Sequence, residues 1–272
     1  MRFGIRGGSI AVLTAGVLAT AACSSSGQIG ASAASTSAPG SAASTGKTVE
    51  TPPNTSIAPP TSAASSAGGN GTTLTTAQIS AILLTGNDDP GYTFDASKDG
   101  TSVTDTQDVV TSGGSVCQTF VDAENGLSTK YGTTAEVDRE LTKTAEGHVI
   151  EDSVLAMPSA AKALAMTTDL STSLKGCKSL SVTISDSPGS MQLSAIPQLT
   201  KNGQAGYVNY LTVGGKTVLM TADVVQVGSA VSVVALIGPM TSDNTALAQM
   251  GATMGHLSDI QVARLKKAQG LS

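Results

Sequence analysis

"AGYVNYLTVGGKTVLMTADVVQVGSAVSVVALIG", residues 205–238, decides the fold. β-branched and aromatic residues dominate it, and two glycine-bearing breaks interrupt it, at Gly214-Gly215 and Gly228-Ser229. Tight turns between right-twisted strands need positive φ, which glycine adopts without steric cost. The stretch therefore predicts three antiparallel strands in a meander. The first break also reads "GGKT" at Gly214–Thr217, and "TGKT" occurs at Thr45–Thr48. A phosphate-binding loop needs a further glycine five residues before its second glycine. Those positions hold Tyr210 and Ser41, so both matches are chance.

Working outward, the segments around the meander alternate between two periodicities. "TTAQISAILLTG" predicts a short helix capped by Thr75 or Thr76, with Ile79, Ile82 and Leu83 on one face and Gly86 as its stop. "NDDPGYTF" reads as a turn around Pro90 and Gly91. "SVCQTFVDAENGL" predicts a second short helix with Val116, Phe120 and Val121 inward. "AEVDRELTK" and "HVIEDSVLAM" alternate and read as paired strands joined around Gly147. In "PSAAKALAMTTDLSTSLKGC", Pro158 suits a first turn, Ala163, Thr167, Leu170 and Leu174 share a face, and Gly176 ends the helix. Strands are expected at 180–184 and 191–193. The closing "TSDNTALAQMGATMGHLSDIQVARLKKA" is a helix carrying Leu247, Met250, Met254, Leu257 and Leu265, with basic residues in its last turn. Helices flanking a mostly antiparallel sheet define an α+β fold.

The chain has 272 residues, a formal charge of −5, no Trp, three Phe and four Tyr. Any core is built from Leu, Ile, Val, Met and Ala. An acidic balance disfavours nucleic acid as a partner, which needs a basic face.

The start is organised differently. Arg2 and Arg6 precede an apolar stretch from Ile10 to Ala22, too short for a bilayer core that needs roughly 20 residues. A charged region, a short apolar region and a small-residue exit make residues 1–22 a secretory signal peptide. "AAC" at Ala21–Cys23 is similar to the end of a bacterial lipobox, which implies acylation (palmitate) at Cys23 and anchoring to the cell membrane. Residues 23–73 are Ser, Ala, Gly, Thr and Pro with few large apolar residues. Such a composition cannot offset its ordering entropy, so a lipid-anchored, disordered linker is expected. About 50 flexible residues span roughly 35–40 Å. Order is expected over 74–268, the size of one domain. With Cys23 assigned to lipid, Cys117 and Cys177 remain as one pair in an oxidising compartment, and a disulfide between them is expected.

Catalytic chemistry finds little support. The two histidines, His148 and His256, stand apart, and no G-x-S-x-G elbow, H-E-x-x-H or paired-cysteine zinc spacing occurs. No catalytic residue, metal ligand or cofactor is assigned. Glu136, Asp138 and Glu140 alternate along one strand and read as a solvated face.

In order and spacing, the "DDPGYTF" turn, the Cys opening a helix, the "SAAKAL…LKGC" helix, the β-meander and the final amphipathic helix resemble a known family. It is the extracellular sensor domain of mycobacterial PknH-type serine/threonine kinases, also carried by free-standing lipoproteins. The resemblance implies an α+β domain with a cleft on its sheet for an unidentified ligand. The kinase sensors have a second disulfide, for which this chain has no cysteines, and no ligand-contacting motif is matched. The expected role is therefore a non-catalytic, lipid-anchored sensor-like domain on the extracellular face of the membrane. Its ligand would be a small molecule, lipid, cell-wall component or protein. A secreted hydrolase acting on cell-wall material, with His148 or His256 beside a Ser and a carboxylate, is the rival reading. A passive lipid-carrier lipoprotein is another.

Overall fold

The computed structural model describes residues 72–271, apart from 106, 185–186 and 242. The expected signal peptide, the acylated Cys23 and the linker up to residue 71 lie outside the described residues.

The meander forms as read: Gln204–Val213, Lys216–Val227 and Ala230–Pro239 are antiparallel neighbours. Gly214, Gly215 and Gly228 turn them at φ 57°, 78° and 53°. In chain order these three strands are β6, β7 and β8. They are preceded by β1 (Val110–Ser112), β2 (Ala135–Lys143), β3 (His148–Ala156), β4 (Ser179–Ile184) and β5 (Ser187–Ala195). All eight join one antiparallel sheet in the order β1-β4-β5-β6-β7-β8-β3-β2. β5 is longer than the expected 191–193, because its pairing with both β4 and β6 extends it in each direction. β1 has no hydrophobic alternation to announce it and exists only through its pairing with β4.

Helices cover both faces. On one lie α2 (Gly114–Glu124) and α4 (Ala160–Gly176), whose Phe120, Val121, Ala163, Met166, Leu170 and Leu174 share a core with Tyr207, Met220 and Val233. On the other lies α5 (Asn244–Ala268), where Leu247, Met250, Met254 and Leu257 pack on Leu219, Val234 and Leu236. Sandwiched in this way, β7 and β8 are buried on both sides almost throughout. That is why their sequences run apolar instead of alternating.

Three local expectations differ. The first helix, α1 (Thr76–Ser80), carries the Thr75–Gln78 capping box but ends at Ala81, well before Gly86. The chain then turns inward so that Leu83 and Leu84 are buried outside any helix. Ser159 caps α4, accepting from the Lys162 amide, so Pro158 stands just outside the first turn. Val116 is 44% exposed, because α2 turns its Cys117–Phe120–Val121 side to the core. A four-residue helix, α3 (Ser128–Tyr131), follows; its Tyr131 hydroxyl donates to Asp169 of α4 at 2.9 Å.

Cys117 and Cys177 are bonded, with Sγ atoms 2.02 Å apart, joining the first turn of α2 to the residue after α4. Gly113 makes room for the bond. At φ 111°, a Cβ there would lie 2.7 Å from the Cys117 sulfur.

Residues 81–100 form a strap over the α5 face, clamped by two arginines. Arg139 of β2 forks onto Asp99 at 3.0 and 2.5 Å and donates to the Leu84 carbonyl. Arg264 of α5 forks onto Asp88 at 2.9 and 2.6 Å and donates to the Leu83 carbonyl. Asp152 accepts from the Leu84 amide between them.

Candidate functional site

Strand register builds the site. Cross-strand partners share a face, so one row of side chains crosses the α4 side of the sheet: Glu140, Glu151, Ala235, Ala222 and Tyr207. The adjacent row holds Thr142, Val149, Ile237, Met220 and Asn209. Helix α4 packs on β5, β6, β7 and β8, leaving β2 and β3 outside its main footprint among the described residues. At that corner Asp138, Glu140, Val149, Glu151 and Ile237 are only half-buried, as are Leu211 and Val218 nearby. The result is an apolar strip with an acidic rim.

The alternation of Glu136, Asp138 and Glu140 is as expected, but their face is not a solvated one. Glu136 is wholly buried, and Asp138 and Glu140 are half-buried. One face of β2 is crossed by the strap, and the other is covered at Glu136 but only partly at Asp138 and Glu140. Opposite them, the Ser153 hydroxyl donates to Asp138.

From above, α2 places Glu124 over the sheet, where the Tyr207 hydroxyl donates to its Oε1 at 2.8 Å. Phe120 meets the Tyr207 ring edge-on, centroids 5.4 Å apart, and so fixes that ring. Burial raises Glu124 to about 7, partly offset by the Tyr207 hydrogen bond. Burial likewise raises Glu151 to about 7, reinforced by the charges of Glu124, Asp138 and Glu140. Among the described residues no lysine or arginine forms an ion pair with Asp138, Glu140 or Glu151. No grouping of three His, Cys, Asp or Glu side chains among them is arranged to hold a metal ion. Asn209 is wholly buried, and neither of its amide atoms has a hydrogen-bond partner.

The structure does not assemble the histidines into a site. His148 lies 3.4 Å from Glu146 in the β2–β3 turn, and His256 is exposed on α5. Neither is hydrogen-bonded to a serine among the described residues. Glu124, Glu151, Tyr207 and Asn209 escape the sequence reading, because only strand register and the crossing of α2 bring them to one face. Cys117 and Cys177 lie at the far end of α2 from Glu124, holding the helix that supplies it.

An eight-stranded antiparallel sheet with helices on both faces and a half-buried strip on one of them defines the class: an α+β sandwich domain. Residues 74–256 match the PknH-like extracellular domain, and the chain belongs to that family. It is similar in fold to the extracellular domain of PknH from Mycobacterium tuberculosis, at 16% identity and a TM-score of 0.51. That match covers 71% of this chain and 98% of the other. A putative uncharacterized protein from Mycobacterium smegmatis matches at 9% identity and a TM-score of 0.33, with the same coverage. No curated protein matches the sequence significantly. No helix among the described residues is long and apolar enough to cross a membrane.

Proposed function

We propose that this chain is a cell-surface lipoprotein whose domain, residues 74–268, binds a ligand on the half-buried strip and has no catalytic role. The observation that carries the reading is the strip itself. In a member of an extracellular sensor-like family, a sheet face is left half-covered beside converging polar groups, the usual form of a small-molecule site. The leader and the Ala21–Cys23 junction support export and acylation at Cys23, and the 23–73 composition supports a tether between membrane and domain. The placing of His148 beside Glu146 and of His256 on the exposed side of α5, with no serine bonded to either among the described residues, favours binding over hydrolysis.

Two measurements test this. Native membrane lipids and cell-wall fragments are screened for a rise in melting temperature of the purified chain, since any ligand specific to the folded state raises it by mass action. A ligand that is bound and recovered unchanged supports the proposal; turnover lost in His148→Ala or His256→Ala replaces it with an enzyme. In cells, wild-type protein is expected in the membrane fraction and Cys23→Ser as precursor or in the medium. A mature chain without acyl groups, cut elsewhere than before Cys23, refutes the anchor.

A further inference from the structure

The ligand-binding reading leaves the chemistry of the ligand open, and the two side-chain rows restrict it. Glu140 and Glu151 stand opposite each other at the half-buried corner, with Asp138 one step along β2 on the same face. These three carboxylates have no ion-pair partner among the described residues. The adjacent row carries the apolar side chains and a buried amide. From β3 it runs over the half-buried Ile237 and then Met220 to Asn209 on β6.

Asn209 is the independent sign of a ligand. It has two donors and two acceptor positions, is wholly shielded from solvent, and uses none of them. Leaving a buried polar group unsatisfied costs about 1–3 kcal/mol, and a leucine of similar volume would avoid that. Its side chain points to the same face as Tyr207, two residues away, whose hydroxyl donates to Glu124. Met220, its buried cross-strand partner on β7, is an unbranched side chain with three rotatable bonds, the kind that repacks most readily around a ligand.

We propose that the strip binds an amphiphilic organic cation: an ammonium group set between Glu140 and Glu151, an apolar middle lying over Ile237 and Met220, and a hydrogen-bonding end that engages the Asn209 amide. This rests on the ligand-binding reading above and adds charge, order and length to it. Three strand spacings separate β3 from β6, so the two polar ends of the ligand are roughly 14 Å apart. An organic cation fits better than a metal ion, because no three carboxylates converge on one point among the described residues. The apolar stretch between the acids and Asn209 would also contribute nothing to a bare ion.

The test uses the purified full chain and three probes of one length: ω-aminodecanamide, decanamide, and the monoamide of sebacic acid. They carry an ammonium, a methyl or a carboxylate at the end opposite a common amide. Calorimetric titration and thermal unfolding are the readouts. The aminoamide is expected to bind and raise the melting temperature, and the other two to bind at least tenfold more weakly. Glu140→Gln and Glu151→Gln each lower aminoamide affinity severalfold, and the double variant by tenfold or more. Asn209→Leu lowers it severalfold without lowering the melting temperature of the free protein. Equal binding of all three probes, or aminoamide binding indifferent to both Glu→Gln changes, overturns the cation assignment while leaving a binding strip in place. Failure of all three probes overturns the proposal as stated. The screen of native lipids and wall fragments then decides the broader reading on its own.

Discussion

Glu140 and Glu151 are direct cross-strand partners, two carboxylates side by side on β2 and β3 with no cation paired to either among the described residues. Like charges placed opposite each other destabilise a sheet by roughly 0.2–1 kcal/mol. Glu140→Gln is therefore expected to stabilise the free domain by about that amount in urea unfolding at pH 8. At pH 5 the gain shrinks, because Glu151, at about 7, is then protonated in the folded state. A loss of stability at pH 8 would show that the pair is not repulsive.

Carboxyls shifted by their surroundings also set the pH dependence of the whole domain. Burial raises Glu124, Glu151 and Asp152 to about 7 and Asp223 to about 6. Asp223 is held by Gln204 at 2.9 Å and by Ser258 of α5 at 2.7 Å. A carboxyl whose folded pKa lies above its unfolded value keeps the folded state more protonated. Stability then falls as pH rises from about 4 through those folded values. Asp88 acts oppositely: burial pushes it up, but Arg264 and the Thr85 amide outweigh that and hold it low. Its contribution is lost only as pH drops below the ordinary carboxylate range. The melting temperature is expected to be higher at pH 5 than at pH 8, with Asp152→Asn reducing the difference. A flat profile between those values would contradict the upward shifts of these four groups.

Part of this acidic face was legible in advance. The strands at "AEVDRELTK" and "HVIEDSVLAM", joined around Gly147, follow from alternation and a turn residue. Once Lys143 is set opposite His148, counting back along both strands places Glu140 opposite Glu151. What alternation does not reveal is which side of β2 meets water, since that depends on the layer above. Here the strap takes one face, and the other is covered at Glu136 and left half-buried at Asp138 and Glu140, so neither face of β2 is fully solvated. Asn209 is hidden for a related reason: an asparagine in a strand reads as exposed unless the helix above it is known. Val110–Ser112 was illegible because nothing within the three residues specifies a strand.

The strap offers a test of how buried charge holds it. Arg139 and Asp99 are 6% and 8% exposed at their side chains, and Phe94 lies over the guanidinium, 4.5 Å from its ring centroid. Removing one partner of such a pair leaves a buried charge uncompensated, which costs about 3–5 kcal/mol. Arg139→Met is expected to lose that much in denaturant unfolding and to make residues 81–100 susceptible to proteolysis first. Replacing both partners, Arg139→Met with Asp99→Leu, should recover most of the loss. If the single change costs under about 1 kcal/mol, typical of an exposed pair, water reaches the pair and the strap is held by its other anchors: buried Leu83 and Leu84, the Arg264–Asp88 fork and the Asp152–Leu84 hydrogen bond.

The bond between Cys117 and Cys177 closes a loop of 60 residues that contains α2, α3, β2, β3 and α4. In the chain-entropy account, cross-linking a loop of that length removes about 4 kcal/mol of freedom from the unfolded chain. For a domain near 200 residues this corresponds to roughly 8–16 °C in melting temperature. Cys117→Ser with Cys177→Ser is expected to lower the melting temperature by that range. The effect should be largely global, since the loop spans both the acidic corner and the helix layer above it. A local effect should accompany it: with α2 no longer tied to the end of α4, its position over the sheet rests on core packing of Phe120 and Val121 and on polar contacts such as Tyr207 to Glu124 and Gln107 to Asp122. Hydrogen exchange along α2 should therefore accelerate more than exchange in β7 and β8, even under conditions where the double variant remains folded. Unchanged exchange in α2 together with a shift of only a degree or two would mean that packing against Leu170 and Leu174 already fixes the helix. The disulfide would then contribute little beyond what the core provides.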